Sequence, residues 1–144
     1  MDLRVRSISM SIDAMNWCRD LRGLKGTEKS VLHVICDRYN DDLGYAWPTI
    51  NRIAIESGWS YRTVSRCLRT LEMHGYIASY RQFYAHDEKP ASNRYYLPVF
   101  GTLPPRGKIF WVGGEFDHNG DWEPDWTSSQ KELIEVWGLP DTPS

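Results

Sequence analysis

The chain has 144 residues, of which 41% are apolar and 13% aromatic, enough for a packed core and too many for wholesale disorder. Its formal net charge of -2 and pI near 6.1 lack the overall basic footprint common in nucleic-acid-binding domains. Cys18, Cys36 and Cys67 are odd in number and widely spaced, which excludes a disulfide framework and a zinc pattern, and neither a signal peptide nor an apolar run of about 18 residues is found, so a cytoplasmic protein is expected.

Residues 1–10 alternate loosely and fit a short strand or a mobile arm. Ser11 to Asp20 fits a first helix with Ile12, Met15 and Cys18 on one side, and Gly23 and Gly26 punctuate the chain after it. Thr27 has the chemistry of an N-cap for a helix carrying Val31, Leu32, Val34 and Ile35 and running to about Tyr39. Asn40 to Gly44 is a turn. Thr49 is another N-cap, for a short helix with Ile50, Ile53 and Ala54 on one face, and Ser60 caps a helix with Val64, Cys67, Leu68 and Leu71 turned inward, ending at His74-Gly75. Tyr76 to Tyr84 reads as a strand, Asn93 to Val99 as its partner, and Ala85 to Ser92 as the loop between them.

The chain changes character at Phe100. Prolines and glycines there suggest a linker, Lys108 to Val112 suits a strand, and Asp117 to Gly120 is a turn signal. Ser129 with Glu132 is a capping-box pattern for a short helix carrying Leu133, Ile134, Val136 and Trp137. Charge divides at the same place. Residues 49–98 hold seven Lys or Arg against four Asp or Glu, a net +3, whereas residues 99–144 hold three against eight, a net -5. The expected organisation is therefore one domain over 1–98 and an acidic aromatic extension over 99–144, a small hairpin plus a short helix, which contains Trp111, Trp122, Trp126 and Trp137.

The strongest pattern lies between Thr49 and Leu71. Two short helices crossing at a steep angle need a small residue at the crossing, supplied by Ala54. They need a turn residue tolerant of positive φ, supplied by Gly58, and a buried branched side chain on the second helix, supplied by Val64. On the opposite face of that second helix Arg62, Ser65, Arg66 and Arg69 form one stripe, with Ser60, Tyr61 and Thr63 near its start. Guanidinium groups can hydrogen-bond guanine edges bidentately and neutralise phosphate, which makes this stripe a candidate double-stranded DNA surface; a solvated polar face is the plainer alternative. In the hairpin after it Arg81, Gln82, Tyr84, Lys89 and Arg94 are candidates for contacts to phosphate or minor groove, with Asp87 and Glu88 at the expected tip opposing them.

These residues carry a resemblance. Met15-Asn16-Trp17, Leu24 to Lys29, Trp47 to Ile50, Ile53-Ala54, Gly58 to Ser60, Arg62 to Val64, Leu68, Leu71-Glu72, Gly75 to Ile77 and Asn93 to Leu97 resemble the winged helix-turn-helix domains of phage, prophage and plasmid proteins. The resemblance covers roughly residues 10–98. It implies a mostly α fold, a three-helix core with a β-hairpin wing, and DNA binding in transcription regulation or replication initiation in the cytoplasm of a bacterial host cell. It transfers no catalytic residue and does not reach the extension.

No enzyme and no cofactor is expected. His33, His74, His86 and His118 have no metal-ligand partners at useful spacing, Asp37 to Gly44 does not meet the calcium-loop pattern, and no phosphate-cradling glycine loop or serine nucleophile motif occurs. Asp121, Glu123 and Asp125 alternate with Trp122 and Trp126, a pattern closer to a polar edge strand than to a paired-carboxylate hydrolase. The competing reading is a winged-helix protein-interaction module, in which the four extension tryptophans engage or inhibit a host or replisome protein. A homodimer is compatible with either reading.

Overall fold

The computed structural model describes residues 11–84 and 89–104, together with the backbone of three short strands at 109–111, 115–116 and 122–123. Four helices come first: α1 (Ile12–Asp20), α2 (Gly26–Asp37), α3 (Ile50–Ser57) and α4 (Tyr61–Met73). Next come strands β1 (Ala78–Tyr80), β2 (Gln82–Tyr84) and β3 (Arg94–Tyr96), then a 3-10 turn at Pro98–Phe100. Strands β4 (Ile109–Trp111), β5 (Glu115–Phe116) and β6 (Trp122–Glu123) lie in the extension.

The helix starts obey the capping chemistry at three of four positions. The side chains of Ser11, Thr49 and Ser60 accept from the backbone N–H groups of Ala14, Arg52 and Thr63 at 3.0, 3.0 and 3.1 Å. The exception is Thr27. Helix α2 begins one residue before it, and the cap position is Lys25, whose N–H donates to the Glu28 carboxylate at 3.3 Å. The reaching-back glutamate half of a capping box therefore sets this start, and Thr27 lies inside the first turn, where its carbonyl accepts from the Ser30 hydroxyl at 3.0 Å.

Helices α2, α3 and α4 pack on one another and α1 packs on α2. The apolar faces read from the sequence for α2, α3 and α4 meet here: Val31, Leu32, Ile35, Ile53, Val64 and Leu71 are each wholly shielded from solvent, whereas on α1 Ala14 and Cys18 are buried and Ile12, expected inward, is 72% exposed. Each buried Val, Leu or Ile side chain stabilises the fold by roughly 1.5–3 kcal/mol relative to exposure. Ala54 packs against this core from the short helix α3. Gly58 ends α3 in the left-handed region at φ +80°, with its N–H donating to the Ala54 carbonyl at 2.9 Å.

The expected long strand from Tyr76 to Tyr84 is two strands. β1 pairs antiparallel with β3, from Ala78 opposite Tyr96 to Tyr80 opposite Arg94. Past Arg81 the pairing changes, and β2 runs parallel to β4, Gln82 to Tyr84 opposite Ile109 to Trp111. The break is set by Gln82, whose amide is turned inward and donates to the Ser92 carbonyl at 2.5 Å while its oxygen accepts from Arg94 at 2.6 Å. The expected strand over 93–99 shortens to β3 for a similar local reason: Pro98 opens the 3-10 turn. A second small cluster of Tyr45, Ala78, Tyr80 and Tyr96 lies under β1 and β3, with Trp47 and Leu103 against it.

The chain beyond β3 stays attached to the domain as far as residue 104. Phe100 meets Trp17 edge-on at 5.8 Å, and the Tyr80 hydroxyl donates to the Pro104 carbonyl at 2.8 Å. In the extension, the strand expected over 108–112 is β4, and β5 pairs antiparallel with β6 on either side of the Asp117–Gly120 turn signal. That turn itself, the short helix expected after Ser129, the arm at 1–10 and the wing-tip acids Asp87 and Glu88 lie outside the described residues.

Candidate nucleic-acid interface

Helix α4 presents two unlike faces. Val64, Cys67, Leu68 and Leu71 are buried in the core, while Arg62, Arg66 and Arg69 are exposed and Ser65 is half-buried between them. Among the described residues the three guanidinium groups enter no ion pair and no side-chain hydrogen bond. They are therefore available to an anionic partner without first breaking an internal contact. Arg69 lies seven positions along the helix from Arg62, about 10 Å of axis at about 1.5 Å per residue, or roughly three base pairs of a duplex. Tyr61, at the first position of the helix, keeps 54% of its surface in solvent, and Ser60 and Thr63, also candidates, are joined hydroxyl to hydroxyl at 3.1 Å.

The turn between the two helices is tied to the core helix behind it. The indole N–H of Trp59 donates to the Ser30 hydroxyl of α2 at 2.7 Å, just before the Ser60 cap. On the outer side of α3, Arg38 and Arg52 both reach the Glu56 carboxylate. These basic residues are thus partly neutralised, and the cationic character of this face comes from α4.

The wing candidates divide. Arg81 is exposed, its guanidinium 5.6 Å from the Phe83 ring, and Lys89 is exposed. Arg94 corrects the sequence reading: it is 1% exposed. Its guanidinium lies 4.0 Å over the Tyr45 ring and donates to Gln82 and to the Tyr96 hydroxyl at 2.6 and 3.2 Å. A planar cation stacked on one ring and held by two oxygens is a structural member of the wing base, and it does not face solvent. Gln82, also weighed as a wing contact, is buried with it. Alternation along β3 fails to reveal this because Arg94, Tyr95 and Tyr96 are all buried, one face toward the helical core and the other toward the aromatic cluster.

A cleft of about 340 Å³ opens between the start of α3, the start of α4 and the segment that returns from the wing into β3. Its walls include Thr49, Asn51, Tyr61, Pro90, Ser92 and Asn93. Tyr95 closes the floor, and burial pushes its phenol up to about 12 against a hydrogen bond from Asn93 that acts the other way. Sequence reasoning missed this cleft. Its walls come from three separate stretches between 48 and 95, and no residue lining it carries a charge that would mark it.

Residues 22–77 match a helix-turn-helix domain family. The match runs from just before α2 through α4 to the residue preceding β1, so it takes in the Arg stripe and leaves out the wing and the extension. The chain matches no curated protein and no solved structure. Among the described residues no group of His, Cys, Asp or Glu is placed to hold a metal ion, and no helix is long and apolar enough to cross a membrane.

Proposed function

We propose that the chain binds double-stranded DNA in the cytoplasm, with α4 entering the major groove as the recognition helix. The observation that carries this reading is the exposed stripe Arg62, Arg66 and Arg69 on the helix after the glycine turn of a helix-turn-helix domain. The major groove is about 12 Å wide and admits one helix, and base edges there accept bidentate guanidinium bonds. Ser60, Tyr61, Thr63 and Ser65 serve positioning contacts at the start of the same helix, and Arg81 and Lys89 reach the duplex from the wing.

The resemblance to domains of phage, prophage and plasmid proteins supports a role in a mobile element, in transcription regulation or replication initiation. In this reading the protein has no catalytic activity and needs no cofactor or metal, and the tryptophans of the extension serve a protein partner. Selection of bound duplexes from a random pool tests the proposal: enrichment of a defined site supports it. Failure to retain any duplex at low salt overturns it in favour of a winged-helix module that binds protein.

A further inference from the structure

The wing of this chain is poorly supplied with outward cations. Arg94, which should extend the basic surface, is held inside the wing base, and the residues that remain for contact on the described wing are Arg81 and Lys89. Next to the recognition helix lies instead the neutral cleft between α3, Tyr61 and the returning segment. Its walls are fixed by the protein's own bonds. The Ser92 hydroxyl donates to the Trp47 carbonyl at 2.9 Å, the Ala91 N–H to the Gln82 carbonyl at 2.9 Å, and Ala46 and Tyr95 exchange backbone bonds at 3.0 and 2.8 Å. Asn93 lines the wall on the returning side, and Asn51 stands exposed in the first turn of α3. A concave cleft with an asparagine on each of two walls and a tyrosine beside them offers uncharged donors to an anionic strand.

We propose that this cleft seats the sugar–phosphate backbone of the duplex beside the recognition helix, with the Asn51 and Asn93 amides donating to one phosphate and Tyr61 walling the adjoining deoxyribose. The inference rests on the DNA reading and adds to it a second anchoring point that uses no charge. Chemistry gives it two consequences. Backbone contacts carry no sequence information, so losing them weakens all duplexes alike. Neutral donors displace no counterions, so losing them leaves the salt dependence of binding unchanged, whereas each neutralised phosphate contributes about 0.9 to that slope.

The test titrates the full chain with its selected duplex and with a scrambled duplex, each at two salt concentrations. Asn51→Ala is expected to weaken both duplexes several-fold with the salt slope of the unmodified protein. Asn51→Asp is the sharper probe. The first turn of α3 holds no acidic residue, so a carboxylate there favours the helix dipole and keeps the fold intact, yet it repels phosphate. Affinity should fall at least tenfold at low salt, and the loss should shrink as salt rises. Ala91→Glu places the same charge on the segment that leads into β3 and should act alike. Should both acidic variants bind as tightly as the unmodified chain while Arg62→Ala/Arg66→Ala/Arg69→Ala loses binding, the cleft proposal is wrong and the recognition helix stands. If the triple variant also binds undiminished, both readings fall.

Discussion

Helix α4 and the wing hairpin each carry arginines at spacings that suggest DNA contact, and the structure treats them in opposite ways. On α4 the buried face is complete without the arginines: Val64, Cys67, Leu68 and Leu71 fill it, and Arg62, Arg66 and Arg69 are left outside. In the wing the strands are only three residues long, and both faces of β3 are covered, so Arg94 is drawn in and stacked on Tyr45. The same residue type thus faces outward in one region and serves internal architecture in the other. What decides between them is whether an element has one buried face or two.

That contrast can be broken by mutation. The largest expected effect on stability comes from the wing. Arg94→Ala removes the group that joins Gln82, Tyr96 and Tyr45 and leaves buried oxygens without a donor, at a cost of about 3 kcal/mol. A chemical-denaturation midpoint equal to that of the unmodified protein would place Arg94 outside the fold. Next is Ala54→Leu, which overpacks the face of α3 against the core and should cost roughly 1–3 kcal/mol, read as a lower Tm. Tyr80→Phe deletes the bond to the Pro104 carbonyl and should cost about 1 kcal/mol, testing whether the chain after the wing is held to it. Arg81→Ala is the smallest: an exposed change within about 0.5 kcal/mol of the unmodified stability, with a modest weakening of duplex binding.

The helical part of the molecule is legible in the sequence because its signals are local. Capping side chains at Thr49 and Ser60, the positive φ of Gly58 and the 3.6-residue spacing of Val64, Cys67, Leu68 and Leu71 each act within a turn or two of helix. The start of α2 moves from Thr27 to Lys25 because two capping solutions compete within a few residues and the carboxylate of Glu28 prevails. The wing is less legible because its outcome depends on partners far along the chain. Gln82 bonds to Ser92 and Arg94, and β2 takes β4 as a parallel neighbour 27 residues on, so the strand expected from 76 to 84 breaks where those contacts begin. The cleft at Asn51 and Asn93 escapes the sequence for the same reason, since it exists only once residues near 50, 61 and 92 are brought together.

If α4 carries the DNA affinity, its arginines must do so without holding the fold. The most direct test compares the unmodified chain with Arg62→Ala/Arg66→Ala/Arg69→Ala by titration against the selected duplex, with thermal melts run on the same samples. Each arginine that reads a base should contribute on the order of 1–3 kcal/mol of binding, and exposed substitutions should barely move stability. The expected result is a loss of affinity of at least about a hundredfold at an unchanged Tm. A triple variant that binds the duplex as tightly as the unmodified chain would contradict the assignment of α4 as the recognition helix.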